Sequence, residues 1–318
     1  MILVPAHRSY SLDSLIFPKI KTTVCANWCI LIFKVQLSMV YFFAGLAKVN
    51  ADWLLQAQPL AIWLPGRYTL PIIGKWLYLK EVAFLFSWLG CLYDLFIWVF
   101  LWFKRTRPLA YFFVLVFHIL TGILFPRIGM FPYIMMVSTV IFFSANWHQK
   151  LLHYLPFTSP KKNDRSSNTR APLIPYLLLA YFIVQLYLPL RHLHYPGNLF
   201  WNENGYRFSW RVMLMEKNGY TNFILKDPKQ NRQRQINLDQ YLTAFQQQQL
   251  RSQPDMILQF AQHMGKLHEK ELGYAPAIYV DSRISLNGRR SQVFIDKSVD
   301  LYDKGGFNSK NWLIPLAN

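Results

Sequence analysis

The sequence predicts a multi-pass α-helical membrane domain of about five helices, residues 1–190, followed by an exoplasmic, β-rich α+β domain, residues 191–318. Three observations predict it. Five apolar stretches approach the ~20 residues that a bilayer crossing needs. Hydrophobic residues make up 53% of the chain and charged residues only 16%, a balance unlike that of ordinary soluble enzymes. After Leu190 the long apolar runs stop, and Asn-Gly pairs appear between β-branched and aromatic residues, which is the pattern of hairpins.

The expected spans are 24–47, 81–103, 109–125, 128–145 and 172–190. The third and fourth are short and joined by Pro126-Arg127, which predicts a tight helical hairpin. Ser159 to Asn168 is a polar, basic loop. Arg8, Lys19 and Lys21 precede the first span. Lys104, Arg105 and Arg107 follow the second, and Lys150, Lys161, Lys162, Arg165 and Arg170 follow the fourth. If the helices alternate, all three clusters share a side, and the opposite loops hold only Arg67, Lys75, Lys80 and Arg127. The positive-inside rule then places the N-terminus in the cytoplasm. Lys48, the 49–80 loop and everything after Leu190 fall on the exoplasmic side. The net charge of +18 is thereby read as loop charge, and no nucleic-acid partner is expected. Past Leu190, Tyr206–Glu216 and Tyr220–Asp227 read as strands with a turn at Asn218-Gly219. Residues 237–272 read as helical with a break near Pro254, and Ala277–Asp296 as a second hairpin turning at Asn287-Gly288.

Few residues carry chemistry. Cys25, Cys29 and Cys91 lie in apolar stretches, so the C-terminal domain holds no internal disulfide. No His or Cys cluster completes the Cys25/Cys29 spacing, and no metal is expected. Lys34 and Asp94 lie at similar distances from the cytoplasmic ends of their helices. Intramembrane charges are costly and usually paired, so the two are expected to form a structural ion pair. Lys48 closes the first apolar helix within Tyr41-Phe-Phe-Ala-Gly-Leu-Ala-Lys48. It is either a snorkelling anchor or an amine at the membrane rim suited to general-base work. His118, mid-span in the third helix, and His192, at the exit of the fifth, are either packing residues or partners of Lys48 in a cavity.

Several motifs occur together: Tyr41 to Lys48 with Ala51-Asp52-Trp53, Phe117-His118 followed by Ile128-Gly129-Met130-Phe131, and Arg191-His192 through Tyr195-Pro196-Gly197-Asn198. Trp201 with Gly205-Tyr206-Arg207-Phe208-Ser209-Trp210, Pro254 to Phe260, and Leu286-Asn287-Gly288-Arg289 follow in the same order. In these the chain resembles the vitamin K-dependent gamma-carboxylase family, specifically its bacterial members with a horizontally transferred transmembrane (HTTM) domain. The resemblance implies a membrane enzyme that couples epoxidation of vitamin K hydroquinone, or a related quinol, to carboxylation of glutamate, with O2 and CO2 as co-substrates. Lys48 would be the base that deprotonates the hydroquinone, and His118 and His192 would assist it. Tyr206 and Trp210 match the segment that contacts the glutamate. Partners would be membrane lipid, the quinol and a glutamate-containing peptide, and the location a bacterial inner membrane. The chain departs from the family pattern in four places. Thr121 stands where animal members have asparagine, Arg127 reads as an insertion, and Met215 stands where animal members have histidine. The family's Asn-His pair and the helices around it precede the first residues here, and Pro5 to Asp13 looks like the loop after them, so an N-terminally truncated member is expected. Two alternatives stay open: a member that only epoxidises, and a truncated, non-catalytic quinone-binding protein.

Overall fold

Long runs of apolar residues with few charges form helices. The computed structural model describes residues 4–8, 11–20, 25–153, 173–304 and 310–317. Helix α1 spans Asn27–Lys48. Asn50 ends it by capping α2 (Ala51–Gln56), where its side chain accepts from the Trp53 backbone N–H. Then come α3 (Lys80–Trp102), α4 (Arg107–Leu124), α5 (Phe131–Thr139), α6 (Ala145–His153) and α7 (Ile174–Leu190). Pro108 sits in the first turn of α4, where a missing N–H costs nothing. Among the described residues, four segments are long and apolar enough to cross a membrane: Asn27–Lys48, Lys80–Trp102, Arg107–Leu124 and Ile174–His194. The expected fourth span, 128–145, differs. A 3-10 turn at Pro126–Ile128 makes the predicted hairpin, and the apolar helix that follows runs only from Phe131 to Phe142. At ~1.5 Å per residue it covers ~18 Å of a ~30 Å hydrocarbon core. The basic loop Ser159 to Asn168 lies outside the described residues.

The chain divides into two compact units, one of Met1–Val49 and Trp88–Tyr187, the other of Asn50–Ser87 and Leu188–Asn318. The segment between the first two spans therefore folds with the C-terminal residues. The second unit is built on an antiparallel sheet of order β2-β1-β3-β4, with β1 Lys217–Asp227, β2 Arg232–Gln235, β3 Ala277–Leu286 and β4 Gln292–Val293. Alternate residues Thr221, Phe223 and Leu225 of β1 and Ile278, Val280, Ser282, Ile284 and Leu286 of β3 are buried, the two-residue period of a sheet with one face covered. Helix α8 (Ala244–Leu250) leads into α9 (Pro254–Leu272), which buries Ile257, Leu258, Phe260, Ala261 and Met264. Phe260 meets Phe223 edge-on at 4.8 Å. Burying each such side chain contributes about 1.5–3 kcal/mol.

Two strand expectations are corrected. Tyr206–Glu216 is irregular, with left-handed backbone at Phe208, Trp210 and Met213. Asn218-Gly219 is not a turn: the pair lies inside β1 opposite Ser285 and Ile284. A Cβ on Gly219 would stand 2.0 Å from the Arg283 carbonyl oxygen, so this glycine serves close strand approach. Asn287 and Gly288 do turn the chain, with φ of 49° and 77°.

Candidate functional site

The first unit gathers its polar groups where α1 and α3 touch. Gly45 makes the contact possible, because a Cβ there would lie 2.6 Å from the Leu95 backbone nitrogen and 2.9 Å from the Asp94 carbonyl carbon. One helical turn beyond Gly45, Lys48 swings its Nζ back to Asp94 Oδ2 at 2.5 Å, with the Ala44 carbonyl as a second acceptor at 3.3 Å. Both residues are buried, at 8% and 5% exposure.

Asp94 thus pairs with Lys48, and the expected Lys34–Asp94 pair is corrected. The distances from the helix ends did not give the register. Trp102 donates to Ser38 Oγ at 2.9 Å and Gly45 packs on Leu95. In this antiparallel alignment Lys34 lies beyond the end of α3, ~18 Å along the axis from the level of Asp94. Its ammonium faces the Phe142 ring at 5.9 Å instead.

His118 is buried on α4, at 2% exposure. A chain of hydrogen bonds fixes its tautomer. The Thr139 hydroxyl donates to the Met135 carbonyl at 2.7 Å, so the Tyr41 hydroxyl donates to Thr139 Oγ1 at 3.2 Å. The Tyr41 oxygen then accepts from His118 Nε2–H at 3.2 Å. All three bonds are satisfied together only this way. Nδ1 is left as a lone-pair acceptor, buried and without a protein partner among the described residues. Aromatic rings surround it: Phe117 at 5.2 Å, and Tyr41, Tyr93 and Phe131 each at 6.3 Å. Phe117 stacks on Tyr93 at 4.0 Å.

His192, Tyr206 and Trp210 belong to the second unit. His192 donates from Nδ1 to the Pro189 carbonyl at 2.9 Å, which leaves Nε2 to accept from Arg211 Nη2 at 3.1 Å. The Tyr206 hydroxyl donates to the Arg211 carbonyl at 2.8 Å. Burial, with the Glu203 carboxylate adding to it, pushes the Tyr206 phenol up to about 12. Burial pushes the Arg211 guanidinium down. Trp210 is half-buried, with φ of 56°.

Sequence reasoning did not link a third cluster. Arg289 forks onto Asp52 at 2.6 and 2.8 Å, and Asn287 Nδ2 donates to the same carboxylate at 2.7 Å. Burial alone would raise the Asp52 carboxyl, but the hydrogen bonds from Arg289 and Asn287 and the guanidinium charge outweigh it and hold it below its ordinary value. Trp53 Nε1 and Trp63 Nε1 add bonds to the Ser87 carbonyl and to Glu216, each at 2.7 Å. Tyr41, Tyr93 and Arg211 were also missed as site residues. An aromatic hydroxyl in an apolar helix is the signal for the tyrosines, and a lone arginine in an aromatic loop for Arg211.

Among the described residues, no group of three or more His, Cys, Asp or Glu is arranged to hold a metal ion. No solved structure matches the chain. Two family descriptions do: HTTM domain over residues 1–147, and the lumenal domain of vitamin K-dependent gamma-carboxylase over residues 170–318. With a membrane helical half and a sheet-bearing half each matched in order, the chain belongs to the vitamin K-dependent gamma-carboxylase family.

Proposed function

We propose that this chain is a quinol-dependent glutamyl carboxylase of the membrane, with Lys48 as its base. The observation that carries the reading is the buried Lys48–Asp94 pair at the end of α1. A lone lysine ammonium has no electron pair to give. Here Asp94 Oδ2 can take the Nζ proton, which frees the amine lone pair and stores the displaced proton on its neighbour. Lys48 accepts a proton at Nζ, and Asp94 sets when it is able to.

The surroundings of His118 fit a flat, apolar quinol ring. Tyr41, Tyr93, Phe117 and Phe131 offer ring faces and edges. His118 Nδ1 is an orphaned acceptor, so it suits a hydroxyl donor. When bound, the quinol supplies, with oxygen, the oxidation that drives proton removal from a glutamyl γ-carbon. The protein's share is to orient through His118 and Tyr41, to exclude water with the aromatic shell, and to move one proton at Lys48. CO2 would be the carboxyl donor.

The N-terminus is cytoplasmic in this reading, from the basic loops, and the second unit exoplasmic. The Asp52–Arg289 fork supports a shared side for residues 50–87 and the C-terminal domain. An even number of crossings then separates Ser87 from Leu188. Helices α3, α4 and α7 make three, so this reading needs a fourth crossing, for which Phe131–Phe142 is the apolar helix at hand.

Membranes carrying the chain, given reduced vitamin K, labelled bicarbonate and a glutamyl peptide, test the reading. Epoxide and labelled peptide that both vanish in Lys48→Met are expected. Well-inserted protein that makes neither, or makes both without Lys48, refutes it. Epoxide without label would leave the epoxidase-only alternative.

A further inference from the structure

Two arginines stand at the exit of the last span, Arg191 in its final turn and Arg211 in the segment beyond, and neither forms an ion pair among the described residues. Arg191 donates through Nη2 to the Arg207 carbonyl at 2.8 Å, and Arg211 through Nη2 to His192 at 3.1 Å. The Nε of each is buried and has no partner among the described residues. The carboxylates of the region are engaged elsewhere. Glu203 is held by Lys217 at 2.5 Å, and Asp255 by Lys310 at 2.7 Å and Arg207 at 3.6 Å. The Arg211 guanidinium also faces the Phe200 ring at 6.0 Å, and its Nε donor remains.

The backbone is shaped to keep them there. Phe208, Trp210 and Met213 adopt φ of 60°, 56° and 58°, conformations that cost non-glycine residues of order 1–3 kcal/mol each and persist where the surroundings impose them, often at binding sites. Gly205 presses the loop onto His192: a Cβ there would lie 2.7 Å from His192 Cα. The bond from His192 Nδ1 to Pro189 fixes the ring, and the ring fixes the guanidinium.

We propose that Arg211, positioned by His192 and assisted by Arg191, is the receptor for a substrate carboxylate. A planar guanidinium edge matches a carboxylate. A buried Nε favours a small planar anion over a phospholipid headgroup, which would meet the open side chain of Arg207 first (57% exposed). That the carboxylate is a glutamyl side chain rests on the function proposed above. His192 is then a positioning residue, its Nε2 already committed to Arg211.

The test is direct binding to the full chain in nanodiscs of neutral lipid, using a short glutamyl peptide and its glutaminyl isostere. Wild type is expected to prefer the glutamyl peptide by about ten- to hundredfold, the range of one charge-assisted bond. Arg211→Gln should bring the ratio close to one, and Arg211→Lys should retain part of it, because a lysine keeps the charge and loses the fork. Equal binding of the two peptides by wild type, or a preference that survives Arg211→Gln, overturns the proposal. So does an Arg211-dependent response to phosphatidylglycerol in the nanodisc with no response to the peptide. If Arg211→Gln fails to fold, the wild-type ratio and Arg211→Lys still decide. A wild type that makes no epoxide but discriminates through Arg211 would sink the quinol reading and leave the carboxylate site standing.

Discussion

Replacing Lys48 by Met leaves Asp94 buried beside an apolar side chain, and replacing Asp94 by Leu leaves an ammonium in the same position. With both groups under a tenth exposed and 2.5 Å apart, each single change should cost about 3–5 kcal/mol, the range for breaking a buried pair. The double change removes both charges and restores an apolar contact, so it should cost less than either single one. The coupling is then about 3 kcal/mol or more. For a chain of this size, 1 kcal/mol moves the unfolding midpoint by about 2–4 °C. Thermal unfolding in detergent, followed by tryptophan fluorescence, should therefore show each single variant at least about 6 °C below wild type and the double variant recovered. Lys34→Met combined with Asp94→Leu serves as the contrast and should be additive within about 0.5 kcal/mol. Epoxide formation must fall in every variant lacking Lys48, by about 10²–10⁴-fold, including the thermally recovered double. Additivity for Lys48 and Asp94, or coupling for Lys34 and Asp94, refutes the assignment of the pair.

Gly45→Ala pushes a methyl into the Leu95 backbone, and should cost about 1–3 kcal/mol and lower epoxide formation by moving Lys48 away from Asp94. Asp52 gives a pH signature. Its carboxyl is held below its ordinary value, so its stabilisation is complete above the unfolded value of about 4 and is lost as pH falls through the folded one. Proteolysis of the second unit between pH 6 and 3 should show that loss in wild type, and Asp52→Asn should be weaker at neutral pH and lose less across this range. His118→Phe keeps the ring and removes the Nδ1 acceptor, so quinol binding followed by quenching of protein fluorescence should weaken about ten- to hundredfold, while the oxidised quinone, which has no hydroxyl to donate, should bind the variant as it binds wild type. In a background lacking Cys25, Cys29 and Cys91, a cysteine at Lys229 should react with an impermeant maleimide from the exoplasmic side of intact cells, and labelling only after lysis would overturn the topology.

The sequence made some of this legible and hid the rest, for physical reasons. Apolar length announces a helix, so α1, α3, α4 and α7 were expected within a few residues. It overestimated the length of the element at 128–145, because Pro126 and the early end of the apolar helix shorten it without making it less greasy. Composition marked Asp94 as a residue needing a partner but could not choose between Lys34 and Lys48. Gly45 against Leu95 and Ser38 against Trp102 make that choice, and neither contact leaves a periodic trace. The pairs Asn218-Gly219 and Asn287-Gly288 are alike locally. Only the pairing of β1 with β3 decides that the first lies in a strand and the second turns. Asp52 and Arg289 are 237 positions apart, a separation at which no local rule operates.

What remains after every local bond is counted is itself informative. Buried polar groups are nearly always satisfied, so the atoms left over indicate what a ligand must bring. Among the described residues of the first unit the leftovers are His118 Nδ1, an acceptor, and the nearby Tyr93 hydroxyl, which can donate or accept. In the second unit the leftovers at Arg191 and Arg211 are donors, both Nε. An acceptor in an aromatic shell suits a hydroxyl on a flat ring, and donors on guanidinium groups without carboxylate partners suit an anion. A quinone carbonyl would leave Nδ1 facing another acceptor, and an amide in place of a carboxylate would leave the guanidinium charges unanswered. If both sites act as their unsatisfied atoms indicate, discrimination of reduced from oxidised ring and of glutamate from glutamine comes from one rule applied twice: the wrong ligand leaves a buried polar atom unpaired, at about 1–3 kcal/mol each time.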